Sequence, residues 1–145
     1  MRLVLQRVAR GAVTVDGRLV GQVGQGVVVL VGVGHGDGEA QADWLAEKIV
    51  NLRIFEDEAG KMNHSLLEVG GGALVVSQFT LYADVQRGRR PSFVDAALPQ
   101  EAQPVVDYLA RRLAGYGVPV QTGEFGAHMR VELENDGPVT IILER

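Results

Sequence analysis

The run GVVVLVGV, from Gly26 to Val33, carries six aliphatic side chains and no polar one. Most of those residues are valine, whose stiff branched side chain suits a pleated strand better than a helix. A strand with one wet face alternates apolar and polar positions, and this one does not. It therefore reads as a strand buried on both faces, at the centre of a sheet with cover on each side. Extended to Gly34 the run is still only about half of the roughly 20 residues that a membrane-spanning helix needs.

The flanking segments supply partners for such a strand. RLVLQRV alternates Leu3 and Leu5 against Val4 and Gln6. AVTVDGRLVGQV reads as a hairpin with Asp16-Gly17 as its turn. HGDG then breaks the pattern, and Asp37 is the expected N-cap of a helix from Glu39 to Leu52, with Ala42, Leu45, Ile49 and Leu52 on one face. GGGALVVSQFTLYAD is the next expected strand, starting after a triple glycine. A second helix is expected from Pro99 or Pro104 to Ala114, with Val105, Leu109 and Leu113 inward and Gly115 and Gly117 stopping it. VPVQTG, HMRVELE and VTIILE supply three further short strands. About seven strands and two helices imply an α+β domain over residues 1–145, a mostly antiparallel sheet or partial barrel with two covering helices.

Composition removes several kinds of chemistry. The 145 residues contain no cysteine, so disulfides, thiolate catalysis and cysteine-ligated metals are excluded. The net charge of −4 argues against a grip on nucleic acid through many phosphates, while leaving room for a local basic patch. The 19 glycines point to tight turns and close backbone approaches. MRLVLQRVAR alternates like a strand and lacks the apolar core of a signal peptide, so a cytoplasmic protein is expected. His35, His64 and His128 stand in unrelated contexts, with no HExxH spacing and no Gly-x-Ser-x-Gly elbow. Neither a metal nor a cofactor is expected.

Four short stretches carry the remaining candidates. In SQFTL (Ser77 to Leu81), strand alternation places Ser77, Phe79 and Leu81 on one face, and Gln78 and Thr80 on the other. A strand ending there either frays into a capped loop or offers its unpaired N–H groups to an oxyanion. QRGRRPSF places Arg87, Arg89 and Arg90 within four positions, as a phosphate site or as a solvated loop. In TGEFGAHM, Phe125 and Met129 either pack in the core or stack on a base. NDGPVT sets Gly137-Pro138 at the mouth of a strand, where proline removes a ladder donor. By frequency that bond is trans, since only about 5–6% of X–Pro bonds are cis. A cis bond would make it a rigid backbone clamp.

SQFTL, RGRRPSF, TGEFGA and NDGPVT, in this order and together with LQRV and RIFEDEAGKMN, closely resemble the D-aminoacyl-tRNA deacylases over nearly the whole chain. The resemblance implies a homodimer that removes D-amino acids, and misplaced glycine, from mischarged tRNA at sites on the subunit interface. It implies that Ser77, Gln78, Phe79 and Thr80 line the pocket holding the aminoacyl ester. Gly137-Pro138 would be cis, would reach into the partner's pocket and would exclude L side chains. Phe125 and Met129 would flank the terminal adenine, Arg7 would support the Gly-Pro loop, and Arg87, Arg89 and Arg90 are the candidates for tRNA contact. Backbone N–H groups near Phe79 or Thr80 would hold the oxyanion while the terminal 2′-hydroxyl positions water. The competing role for Thr80 is that of a nucleophile. Two rival functions remain at this stage: a small-ester hydrolase using Ser77, and a dimeric tRNA-binding module without catalysis.

Overall fold

In the computed structural model, which describes residues 1–145, the Gly26–Val33 run is buried on both faces as its composition demands. The elements in chain order are β1 (Arg2–Val15), β2 (Arg18–Val23), β3 (Gly26–Gly32), α1 (Glu39–Asn51), β4 (Phe55–Glu56), β5 (Met62–His64), β6 (Gly72–Ser77), a short 3-10 helix (Phe79–Tyr82), α2 (Pro99–Gly115), β7 (Val120–Thr122) and β8 (Arg130–Glu144). Alternation along β3 sorts its side chains between two cores. Val27, Val29 and Val31 join a cluster with Leu45 and Ile49 of α1 and Leu109 and Leu113 of α2. Val28 points the other way, into a smaller cluster with Val8, Val13, Leu74 and Val76. Each fully buried leucine contributes roughly 1.5–3 kcal/mol by leaving water, so the helix-covered face is the main source of cohesion.

β1 organises the sheet. Along one edge it pairs antiparallel with β3 over Arg2–Val8 and then with β2 over Gly11–Val15. Its other edge is taken by β8, antiparallel from Arg2↔Glu144 to Thr14↔Arg130. Asp16 and Gly17 close the β1–β2 hairpin with φ of 50° and 79°, the left-handed pair that a two-residue hairpin turn requires. β3–β6 and β6–β7 are parallel. Parallel neighbours need long crossovers, which is the topological reason for α1 and α2. The strand order is β2-β1-β3-β6-β7. Its ends curl together, so that a Cβ on Gly21 of β2 would lie 2.6 Å from the Thr122 carbonyl of β7. The sheet is nearly a barrel, with the Val28 cluster inside and the helices outside. β4 and β5 form a separate hairpin. No helix is long and apolar enough to cross a membrane.

The α+β expectation holds, with several local differences. Asp37 is not the N-cap of α1; Gly38 is, and its N–H is satisfied by the Gln41 side chain at 3.0 Å. The Asp37 carboxylate instead accepts the Gly34 N–H at 2.7 Å. α1 stops at Asn51, with Leu52 as its C-cap. α2 starts at Pro99 and runs through Pro104, which sits on its exposed side, to Gly115. Val106 is buried in α2, where Val105 was expected, and Val105 is half-buried. HMRVELE and VTIILE are not separate strands but two halves of β8, because both pair with β1. Likewise RLVLQRV and AVTV are one continuous β1.

The close approach of β2 and β7 is testable. Gly21→Ala sets a methyl group against backbone that has no rotamer to yield, so overpacking of roughly 1–3 kcal/mol is expected. Urea unfolding should show a lower midpoint with an unchanged slope. An unaffected midpoint would mean that the two strands lie further apart in solution.

Candidate active site

β3, β6 and β7 are mutually parallel, so their carboxyl ends emerge on one side, the usual place for ligands on such sheets. Ser77 closes β6 there. The Gln78 N–H still donates to the Val31 carbonyl of β3 at 2.7 Å, and the chain then turns into the 3-10 helix. The strand alternation expected for Ser77, Phe79 and Leu81 therefore fails: the periodicity changes at Gln78. Leu81 N–H bonds the Gln78 carbonyl at 3.2 Å and Ala83 N–H the Thr80 carbonyl at 3.0 Å. Phe79 and Thr80 occupy the first turn, where a helix has no acceptor for its own N–H groups. Free backbone donors thus occur at the expected residues, produced by a helix start and not by a frayed strand. The Gln78 amide donates to the Thr80 hydroxyl.

Neighbouring side chains fix this turn in place. Phe79 is 58% exposed, with its ring edge-to-face against Phe93 at 5.0 Å. Arg2 donates to the Leu81 carbonyl at 2.7 Å and lies over the Tyr82 ring. The Tyr82 hydroxyl donates to Asp37 at 3.3 Å. Burial, and then the Asp37 carboxylate beside it, push the Tyr82 phenol up to about 12. Sequence reading passed over Arg2 and Tyr82; Arg2 reads as one more polar residue on an alternating strand.

The other candidates divide between this end and elsewhere. Gly123 N–H bonds the Val75 carbonyl at 2.9 Å, so TGEFGAHM begins beside the end of β6. Phe125 packs one side on the larger core and Met129 on the smaller, and both remain half-exposed. Arg87, Arg89 and Arg90 are fully displayed on a loop closed at its base by the Asp84–Ser92 pair, at 2.8 and 2.9 Å. None of the three enters an ion pair. His35 is occupied by the Val94 carbonyl at 2.8 Å, and His128 is exposed.

Gly137-Pro138 lies at the opposite end. The β1–β8 register jumps from Val8↔Asn135 to Gln6↔Thr140, so residues 136–139 bulge out of the ladder opposite Arg7. The Gly137-Pro138 bond is cis, against the general frequency and as the family resemblance implies. Arg7 is only 3% exposed, which removes it from direct contact with a ligand. Its guanidinium donates to the carbonyls of Asp136 and Ile54, each at 2.7 Å, and to Glu56 at 3.3 Å. From Arg2, beside the 3-10 turn, to Arg7, beside this loop, is five strand residues, about 17 Å.

The carboxyl end of the parallel strands thus carries unpaired backbone donors at Phe79 and Thr80, with the Tyr82–Asp37 pair beside them. The family model described as D-Tyr-tRNA(Tyr) deacylase matches residues 4–144. A D-aminoacyl-tRNA deacylase of Thermomicrobium roseum is 68% identical over 99% of this chain and 94% of its own length. One from Bacillus thuringiensis is 56% identical, covering 99% of both. Among solved structures, one titled c-Myc DNA Unwinding Element Binding Protein superposes with a TM-score of 0.92 at 38% identity, over 100% of this chain and 99% of that one. A probable eukaryotic D-amino acid tRNA deacylase shares the fold, with a TM-score of 0.83 at 20% identity over 98% of this chain and 97% of its own. The chain belongs to the D-aminoacyl-tRNA deacylase family, and is a hydrolase of that kind.

The Tyr82 contact gives a pH test. A phenol whose pKa is raised in the folded state stabilises the fold fully below its unfolded value near 10, and that contribution is lost as pH rises toward 12. Spectroscopic titration should show tyrosine ionisation extending to near pH 12, and Tyr82→Phe should delete that last step. Deletion of an earlier step would show the phenol to be unperturbed.

Proposed function

We propose that this chain hydrolyses the ester joining a D-amino acid to the terminal ribose of tRNA, and that it also clears glycine from non-cognate tRNA. The observation that carries the reading is the match to relatives of that name over 99% of the chain, with SQFT at the carboxyl end of the parallel strands. The ester carbonyl sits against the N–H groups of Phe79 and Thr80. Water, positioned by the 2′-hydroxyl of the substrate, attacks the carbonyl carbon and the oxyanion is held by those donors, each worth a few kcal/mol. Collapse breaks the bond to the ribose oxygen, which takes up the proton, and releases the free amino acid and tRNA. Ser77 and Gln78 shape the pocket; Thr80, held by Gln78, positions the substrate and does not attack it.

The roughly 17 Å of β1 from Arg2, beside the 3-10 turn, to Arg7, beside the Gly137-Pro138 loop, supports a homodimer in which each pocket receives the loop of the other subunit. Carbonyls of that loop take the α-amino group and fill the space that an L side chain requires, so chirality is read by exclusion. Glycine has nothing to exclude. Phe125 and Met129 offer their exposed sides to the terminal adenine. Arg87, Arg89 and Arg90, free of ion pairs, meet acceptor-end phosphates, and the acidic total fits a small footprint on tRNA. The cytoplasm is the compartment where such a substrate arises.

Matched D-Tyr-tRNA and L-Tyr-tRNA, with an enzyme-free control, test this directly. Rapid loss of the D ester is expected while the L ester follows the control; a folded protein that clears neither would sink the assignment. Replacing all three loop arginines by alanine should lower kcat/KM most at low salt. It should also flatten the log–log salt slope by about 2–3, for roughly 0.7–0.9 per phosphate contact. An unchanged slope would remove these arginines from the tRNA contact.

A further inference from the structure

Residues 136–139 have no ladder partner on β1, yet Val139 is buried and its N–H needs an acceptor. Asn135 supplies it. Its Oδ1 accepts the Val139 N–H at 2.7 Å, while its Nδ2 donates to the Val139 carbonyl at 3.2 Å and to the Thr140 hydroxyl at 3.3 Å. One side-chain amide thereby imitates a strand neighbour for the far end of the bulge. Thr140 also accepts from Gln6 of β1 at 3.4 Å, which ties the arrangement to the sheet. From the near side, Arg7 holds the Asp136 carbonyl at 2.7 Å. Asp136, Gly137 and Pro138 are exposed, and Gly137 is confined: a Cβ there would lie 2.7 Å from Val139 Cγ2 and 3.1 Å from an Arg7 nitrogen.

We propose that Asn135 is a specificity-positioning residue: its carboxamide closes the 135–139 loop and thereby sets where the Gly137-Pro138 backbone meets the substrate. This rests on the chirality-reading role given above to that loop. Asn135 itself need not touch the substrate. Arg7 alone fixes the entry of the loop, and a loop held at one end swings. Exclusion of an L side chain depends on a hard backbone surface, which a swinging loop does not present. Loss of position therefore damages selectivity more than it damages hydrolysis, because the N–H groups of Phe79 and Thr80 lie on another part of the chain.

The test compares wild type, Asn135→Ala and Asn135→Asp on D-Tyr-tRNA and L-Tyr-tRNA, with circular dichroism to confirm folding. Two neutral hydrogen bonds to backbone correspond to about a tenfold change in rate ratio, so Asn135→Ala should narrow the D-over-L ratio by about tenfold, mainly through faster loss of the L ester. Asn135→Asp keeps an acceptor for the Val139 N–H and should recover part of the ratio. A structural role alone would lower both rates together and leave the ratio intact; that result, in a folded variant, overturns the proposal. Should Asn135→Ala fail to fold, Asn135→Asp carries the same comparison, and a wild-type ratio there overturns it equally. If wild type spares both esters the deacylase reading falls, and this role falls with it. If wild type selects and the variants select equally well, only the role of Asn135 falls.

Discussion

The distance between Arg2 and Arg7 along one strand governs the rest of the molecule. β1 is paired along both edges, so the stretch between them is held straight by ladders on each side. At one end Arg2 holds the 3-10 turn through the Leu81 carbonyl; at the other, buried Arg7 holds the bulge through the Asp136 carbonyl. Neither hold can shift without shearing two ladders, and no hinge lies between them. Within one chain the Ser77–Thr80 turn and the Gly137-Pro138 loop are therefore kept apart. If both belong to one pocket, as proposed, a second copy has to bring them together.

Backbone geometry carries much of the candidate chemistry. The donors at Phe79 and Thr80 are N–H groups of a first helical turn, and the loop offered at 136–139 is backbone held by Arg7 and Asn135. Under the proposed reading the substrate is an aminoacyl ester, an activated acyl donor, and fixed dipoles facing its oxyanion would cost no reorganisation during the reaction. The side chains around these groups act by holding them. Tyr82 is locked to Asp37, Gln78 donates to Thr80, and Arg7 is almost wholly buried.

Side-chain pattern made the frame legible before any coordinates. The unbroken Gly26–Val33 run implied a doubly covered strand, Asp16-Gly17 implied a hairpin, and helical spacing located α1 and α2. What the pattern hid was backbone behaviour that depends on long-range partners. The change from strand to 3-10 helix at Gln78 follows from β3 ending beside it, with the Val31 carbonyl as its last acceptor. Asp37 has the letter of an N-cap, but Gly34, 3 residues earlier, and Tyr82, 45 residues later, take its carboxylate. β8 looked like two strands because the bulge interrupts its alternation, and only the shared partner β1 shows it to be one. Pairing of that kind is not written in local periodicity.

Asn135 shows the same limit at the candidate site. Beside Asp136-Gly137 it reads as ordinary turn chemistry, since asparagine often bonds to its own nearby backbone. Its function differs because the chain does not reverse there: β8 continues in the same direction along β1 after the bulge. A true turn would satisfy its own backbone by an i→i+3 bond. A bulge that rejoins the same ladder cannot, and leaves a buried N–H at Val139 that only a side chain within reach can meet. Asparagine four residues earlier reaches it with the acceptor and has a donor left for the adjoining carbonyl. Aspartate lacks the donor, and glutamine adds a rotatable bond to the hold. The residue is thus fixed by the shape of the interruption, and that shape leaves Gly137 and Pro138 facing outward.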